Sequence, residues 1–591
     1  MASINLSTKV STKDGVPQGL TGVAGVKGSD VYQSTGDPRI DLSTMAVRGC
    51  SGDTLKSLMK AVLELGKTEP QAYEDAFLLA FQTRNIRGGK GERDVSYAMM
   101  AILLGKTPFM IQMLDLVPKY GCWRDLFHLA SHMLERAPES ERCTEIKNAV
   151  IEIARSQLKK DAFTVDEPIS LCAKWAPREG KGSVNDQTIA KELAAALFPQ
   201  MSKVSQRLAA YRKMLSKLNK RIDTVEVKMC AGDWEEIKPP TVPGRALDKY
   251  RAAFLNEVAP IRKNQHVQKG QLRRPDDEVR MACREHFQEH FAAAARGEVT
   301  LKGADTVYPH EVIKKILDSY RYDHYYGDAP RLSKGESDLI IGQWRGFVEK
   351  AHASGALRDC VALCDFSGSM DGVPKTVSLA LGLLIAEVSG TNKFLTFDTD
   401  PKWHRLLPEQ TIIERVAATG HIGDGLSTDF QKAMDLILTD VKARRLLPEQ
   451  IPKDLIVFTD MGFDQACGSD RTSFWTGHSY RNVVKTAPWQ THIQMIREAW
   501  KRAGEDMWNQ PFVPPRIVIW NLRAEYKDFH ASADQDGVIM LSGWSPALFK
   551  VIQETRVQVI TPMDALRLQL DDPMYDAVRE RLRTLMSAAS V

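Results

Sequence analysis

Val361-Ala362-Leu363-Cys364-Asp365-Phe366-Ser367-Gly368-Ser369-Met370 is an apolar run that ends in a carboxylate and two hydroxyls at alternating positions. The run has the length and the neighbours of a buried parallel strand. Gly368 lets the chain turn sharply, and Pro374 to Val388 reads as the helix that follows. Open α/β sheets bind ligands at the C-terminal ends of their strands. Three hard oxygen donors at such a place suit a Mg²⁺-like ion rather than a thiophilic metal.

Two later stretches extend the pattern. Gly423-Asp424-Gly425-Leu426-Ser427-Thr428-Asp429-Phe430 is a glycine-bearing loop leading into a helix, and Leu455-Ile456-Val457-Phe458-Thr459-Asp460 is a second buried strand ending in a carboxylate. Asp and Ser are ordinary turn residues, so strand-end turns without a metal are the competing reading. Asp-x-Ser-x-Ser, then Thr, then a strand-terminal Asp resembles the metal-ion-dependent adhesion site of von Willebrand factor A domains. That resemblance implies that Asp365, Ser367, Ser369, Thr428 and Asp460 hold Mg²⁺ (or Mn²⁺ or Ca²⁺), with one position open to an acidic residue of a partner protein. The sequence departs from the commonest pattern at Met461, which replaces a glycine, and Asp464 nearby competes as a ligand.

The rest of the C-terminal part fits the same fold. The α/β pattern begins at Arg358, after Ser354-Gly355-Ala356. Further strands are expected at Lys393 to Asp398, Arg516 to Trp520 and Gly537 to Leu541, with helices at Phe430 to Leu438, at Thr491 to Arg502, and from Pro546 and Pro573. This is a doubly wound sheet, expected to span residues 356–591. No G-x-G-x-x-G follows the first strand, which argues against a dinucleotide site. Metal-assisted hydrolysis would need a general base. His421 is the nearest imidazole in sequence, and a surface or capping histidine reads as well there, so binding rather than catalysis is expected and the chain is not read as an enzyme.

Composition sets outer limits. The chain has 591 residues, 43% hydrophobic and 26% charged, as in a globular protein with a sizeable core. A net charge of +4 excludes a global polyelectrolyte argument, so any nucleic-acid surface must be local. Nine scattered cysteines argue against a disulfide framework and for a reducing compartment. Cys360 and Cys364 read as core thiols rather than half of a zinc site. No secretory pattern opens the chain and no apolar run reaches a membrane span, so a cytoplasmic protein is expected.

Residues 1–44, rich in Gly, Ser, Thr and Asp, read as a flexible tail or as an arm that packs on a neighbour. Residues 45–350 read as helices joined by short turns: Thr54 to Leu65, Gln71 to Arg84, Ser96 to Leu104, Phe109 to Val117, Arg124 to Arg136 and Glu311 to Tyr320. The series suggests an α-helical module of HEAT-like repeats, without a strict sequence period. Arg84-Asn85-Ile86-Arg87-Gly88-Gly89-Lys90-Gly91-Glu92-Arg93-Asp94 sits between two helices. It follows no strand and lacks P-loop spacing, which excludes a nucleotide-triphosphate site. Its N–H groups and cations suit an RNA phosphate, and equally a turn whose arginines pair Glu92 and Asp94.

Thr83 to Asp94, Leu171-Cys172-Ala173-Lys174-Trp175-Ala176-Pro177 and the run Tyr211 to Glu226 resemble signatures of an uncharacterised family of plants and large DNA viruses. That family is similar to the TROVE module of Ro ribonucleoproteins, in which a ring of helical repeats is paired with a C-terminal von Willebrand A domain. The resemblance implies RNA, small and structured or single-stranded, as a partner. On that footing Arg84, Arg87, Lys90, Arg93, Lys213, Lys217, Lys220 and Arg221 are the expected phosphate contacts, although a basic helix is often only a solvated face. Arg262 to Arg274 adds a looser basic run, and Tyr322-Asp323-His324-Tyr325-Tyr326 suits either base stacking or a core. Trp344 and Phe347 are expected either to anchor the junction between the modules or to finish the last helix. The reading that follows is an RNA-binding scaffold whose metal domain recruits a partner. Its alternative is a metal-dependent protein-interaction adaptor or structural assembly protein without RNA.

Overall fold

The computed structural model describes residues 30–589 except 259–267, 304–305, 321–330, 356, 398–400, 421–429, 462–488, 527–528 and 556–559. Ahead of residue 30 it describes only the strand pieces Thr12–Lys13, Val16–Pro17 and Val23–Ala24. The chain forms two compact units. One comprises residues 1–62, 294–300 and 307–569, and the other residues 63–293, 301–306 and 570–591.

The first unit is built on a six-stranded sheet: β1 (Cys360–Asp365), β2 (Lys393–Phe397), β3 (Trp403–Arg405), β4 (Asp454–Thr459), β5 (Arg516–Asn521) and β6 (Val538–Ser542). The strand order is β6-β5-β4-β1-β2-β3, parallel except for the antiparallel edge strand β3. Every residue of β1, β4 and β6 is buried, which is why these strands are continuous apolar runs rather than alternating ones. The chain leaves β1 toward β2 and later returns to β4 on the other side. The C-terminal ends of β1 and β4 therefore form the switch point where open α/β sheets present ligands.

Val373–Val388 follows β1, as expected, and packs on β1 and β2. It is apolar nearly all round because helices Pro309–Tyr320 and Lys334–Ser354 cover its outer face. Gly382 allows the close approach, since a Cβ there would lie 2.3 Å from Cys364 Sγ. Trp344 donates from Nε1 to Glu387 at 2.8 Å, and Arg415 pairs the same carboxylate at 2.5 Å.

Three expectations change here. Helices 309–320 and 334–354 belong with the sheet, not with the helical series, because their apolar faces close over helix 373–388. The boundary expected between residues 350 and 356 accordingly falls inside a compact unit, and Trp344 is an anchor within it. Residues 31–44 are not a loose tail: Tyr32 and Phe529 exchange backbone hydrogen bonds at 2.8 and 2.9 Å, and helix Pro38–Met45 packs on β6.

The second unit is helical. Pro70–Arg84, Asp94–Lys106, Trp123–Arg136, Glu141–Phe163, Val184–Leu197 and Val204–Ile222 pack in succession, and the C-terminal helix Asp576–Ala589 packs on Pro70–Arg84. The 3₁₀ run Pro573–Tyr575 and the C-terminal helix thus belong to the helical unit, although they were expected in the 356–591 domain. Asn85 Nδ2 donates to the Tyr575 hydroxyl at 2.9 Å, and Arg583 forks onto Glu74 at 2.7 and 2.9 Å. Phe109 to Val117, expected as an α-helix, is mostly the 3₁₀ run Met110–Leu116.

Candidate metal centre and nucleic-acid face

In the sheet unit Asp365, Ser367, Ser369 and Asp460 lie at the C-terminal ends of β1 and β4, the switch point. Asp365 ends β1 and Asp460 follows β4, both fully buried. Asp365 Oδ1 accepts from the backbone N–H of Ser367 at 2.9 Å and Oδ2 from the Thr459 hydroxyl at 3.0 Å. The Ser367 and Ser369 hydroxyls lie 3.1 Å apart across the turn Gly368–Met370. Met461, where glycine is commoner, has φ +72°, the left-handed backbone that usually selects glycine. Thr428, Asp464 and His421 lie outside the described residues.

The donors are hard oxygens, the kind a Mg²⁺-class ion takes, and two of them are carboxylates buried at neighbouring strand ends. Among the described residues no three His, Cys, Asp or Glu side chains gather as a metal site. A centre here would depend on the hydroxyls as well as the carboxylates. His530, missed by the sequence reading, lies behind the site with Nε2 2.9 Å from the Met461 carbonyl. Burial pushes its imidazole down to about 4, while that carbonyl favours the proton. Arg523 was missed too. Its guanidinium donates to the Ser369 carbonyl at 2.9 Å, and its backbone N–H is held by Asn521 at 3.1 Å. Nothing in the sequence brings Arg523 to Ser369; only the strand order does.

The expected phosphate contacts divide into two kinds. Arg84 and Lys90 are buried. Arg84 pairs Asp125 at 2.8 Å, and the same carboxylate accepts the Tyr97 hydroxyl at 2.6 Å and the Cys122 N–H at 2.7 Å. Gly121 makes room for this cluster, since a Cβ there would lie 2.0 Å from Asp125 Oδ2. The glycine loop does not offer its N–H groups outward either. Those of Ile86, Gly89, Lys90, Gly91 and Glu92 go to the carbonyls of Tyr120, Asn85, Gln82, Asn85 and Thr83, and those of Arg87 and Gly88 to Asn85 Oδ1. Phosphate contact by Arg84, by Lys90 and by the loop backbone is thereby corrected: these groups are spent on holding the helical unit.

Arg87 and Arg93 are exposed, the first donating to the Lys119 carbonyl at 2.7 Å and the second 3.3 Å from Asp94. Lys213, Lys217, Lys220 and Arg221 are exposed on helix Val204–Ile222, whose other face buries Leu208, Tyr211, Leu215 and Leu218. Three- and four-residue spacing sets these four cations on one stripe. Arg221 also donates to the carbonyls of Asp161 at 2.9 Å and Val165 at 3.3 Å. Arg262 to Val267 and Tyr322 to Tyr326 lie outside the described residues.

Residues 359–579 match the family model of a domain of unknown function, DUF7788, and residues 149–260 that of another, DUF2828. The first span holds all six strands and the oxygen cluster; the second holds the basic helix. The uncharacterized protein L728 of Acanthamoeba polyphaga mimivirus is 27% identical over 558 residues, covering 91% of this chain and 85% of its own. Among solved structures, the crystal structure of the RO (RSR) protein of Deinococcus radiodurans is similar with a TM-score of 0.38 and 14% identity, over 84% of this chain and 93% of that one. No helix among the described residues is long and apolar enough to cross a membrane.

Proposed function

We propose that this protein is an RNA-binding scaffold of the Ro type, with a helical module that holds RNA and a von Willebrand A-like module that holds a divalent cation. The observation that carries the RNA reading is the stripe of Lys213, Lys217, Lys220 and Arg221, exposed on a helix whose opposite face is core. Cations at that spacing contact successive phosphates without reading bases. Arg87 and Arg93 are further exposed candidates, on a loop held rigid from within.

In the sheet unit, Asp365, Ser367, Ser369 and Asp460, with Thr428, would hold Mg²⁺ or Mn²⁺. The ion supplies a Lewis-acidic point for an outside carboxylate, and an acidic residue of a partner protein is the expected occupant. Arg523 braces the Ser369 backbone and so keeps the loop's hydroxyls in register.

Binding of a fluorescent uridine oligomer to the full chain, titrated with salt, tests the RNA reading. Each phosphate neutralised on a single strand contributes about 0.7 to the slope of log K against log salt. Replacing Lys213, Lys217 and Lys220 by Gln should weaken binding and flatten the slope by about 2. Arg221 is left intact because its guanidinium also holds two backbone carbonyls. A wild-type chain that binds no RNA at low salt overturns this reading and leaves the adaptor.

A further inference from the structure

We propose that Phe163 is a base-stacking platform for single-stranded RNA whose phosphates lie along the basic stripe of helix 204–222; the inference rests on the RNA-binding reading. Phe163 is the last residue of helix Glu141–Phe163, and its side chain is 83% exposed. Val165, two residues on, is 79% exposed. One exposed ring is common on a protein surface; here Phe163 and Val165 are exposed together beside the end of the basic helix, which offers an apolar or π-faced occupant a place next to cations.

The position of the ring is built rather than incidental. Thr164 ends the helix with its N–H and its hydroxyl both on the Lys160 carbonyl, at 3.0 and 2.9 Å. Asp161, one turn back, is buried and takes Gln157 Nε2, the Ser170 N–H and the Ser170 hydroxyl. Arg221 then reaches from the end of the basic helix to the carbonyls of Asp161 and Val165, flanking Phe163 on both sides. The guanidinium meets a helix C-terminus, where free carbonyls and the helix dipole favour a cation.

The charges around the ring decide which occupant fits. Lys159 and Lys160 precede the ring in sequence and Lys217, Lys220 and Arg221 lie along the helix whose end reaches it, five cations against the three exposed acids Asp166, Glu167 and Asp223 of the same two segments. A polyanion with planar apolar faces suits an aromatic ring beside such a surplus of cations, and that describes single-stranded RNA. Non-sequence-specific single-strand sites combine these two features, a basic track and an aromatic side chain.

Stacking and phosphate contact differ in their salt dependence, and that separates Phe163 from the lysines. Phe163→Ala in the full chain should weaken binding of a uridine dodecamer by about 5- to 150-fold, the range expected for one stacked base. The salt slope should stay unchanged, because no phosphate contact is removed. Phe163→Trp should bind as well as wild type or better. An abasic dodecamer should bind wild type and Phe163→Ala equally, since it keeps the phosphates and offers nothing to stack. Unchanged affinity of Phe163→Ala for the uridine ligand overturns the inference, as does an equal loss on both ligands. If the lysine variant still flattens the slope in that case, RNA binding stands and only the stacking role falls. A wild-type chain that binds neither ligand removes the RNA reading and the stacking role together.

Discussion

Arg84 donates from Nε to Asp125 Oδ2 at 2.8 Å across 41 positions of sequence, and both side chains are buried. The carboxylate also accepts Tyr97 and Cys122, so removing the arginine would leave a buried charge facing two donors that cannot replace it. Arg84→Ala should destabilise the helical unit by about 3–5 kcal/mol. Arg84→Lys should recover little, because an ammonium cannot reproduce the fork. Arg87→Ala, at an exposed position in the same loop, should stay within about 0.5 kcal/mol. Urea unfolding followed by circular dichroism checks all three. Equal stability of Arg84→Ala and Arg87→Ala would return Arg84 to the list of available cations.

The strands were legible because burial on both faces leaves no polar positions to interrupt the apolar runs, and β1, β4, β5 and β6 all stand within a residue or two of where the runs lie. Trp403–Arg405 was not, being three residues long and only partly buried. The strand ends carrying Asp365 and Asp460 could be read because each carboxylate closes or directly follows an apolar run. Arg523 and His530 could not, since they arrive from loops that only the strand order brings near. The cations misled for a similar reason. Lys90 and Lys217 look alike in sequence, and only the fold shows that the first is buried and the second exposed. Trp344 was expected either to anchor a junction or to finish the last helix, and its partner Glu387 lies on a helix beyond the expected boundary.

Asp365→Asn with Asp460→Asn should abolish Mn²⁺ binding while leaving the helical signal intact. The amides keep the shape; at position 365 the amide oxygen can still accept the Ser367 N–H, while the Thr459 hydroxyl has to turn and accept from the amide NH2, and the charge that holds a divalent ion is gone. Isothermal titration with Mn²⁺, on wild type and the double variant, measures this directly. Equal affinity in the two would mean that the ion, if bound, sits elsewhere.

His530 and Asp41 should give the sheet unit two opposing pH dependences. Burial holds the His530 imidazole at about 4, below its ordinary 6.5, so the folded state binds fewer protons than the unfolded one. Its contribution is fully present above about pH 6.5 and is lost as pH falls through about 4, some 3 kcal/mol in all. Burial raises the Asp41 carboxyl from 3.8 to about 6, with hydrogen bonds from Ser34 and Thr35 opposing and Asp37 adding to the shift. That contribution runs the other way: it is fully present below about pH 3.8 and is lost as pH rises through about 6, again about 3 kcal/mol. His530→Gln should therefore lose stability relative to wild type near neutrality and regain it in acid, whereas Asp41→Asn should gain relative to wild type as pH rises from about 4 to 6. Urea midpoints of each variant against wild type at matched pH read the two slopes, and two slopes of the same sign would refute the assignment.

The segment before residue 50 should prove part of the sheet unit's fold. Asn521 Nδ2 donates to the Thr44 carbonyl at 3.0 Å and the Ser542 hydroxyl to the Ser43 carbonyl at 2.7 Å, so the ends of β5 and β6 are tied to the N-terminal helix. Ile40, Leu42, Met45 and Val47 are at most 2% exposed. Burying a side chain of this class contributes about 1.5–3 kcal/mol, so the four together approach the whole stability of an ordinary domain before the entropy of ordering the segment is subtracted. Deleting residues 1–49 should leave the sheet unit aggregating or unfolding at much lower urea. A synthetic peptide covering Asp30 to Cys50, added in trans, should restore the midpoint, because the deletion removes an occupant and leaves its groove intact. A truncated chain that unfolds at the wild-type midpoint without the peptide would show the segment to be the dispensable tail its composition suggests.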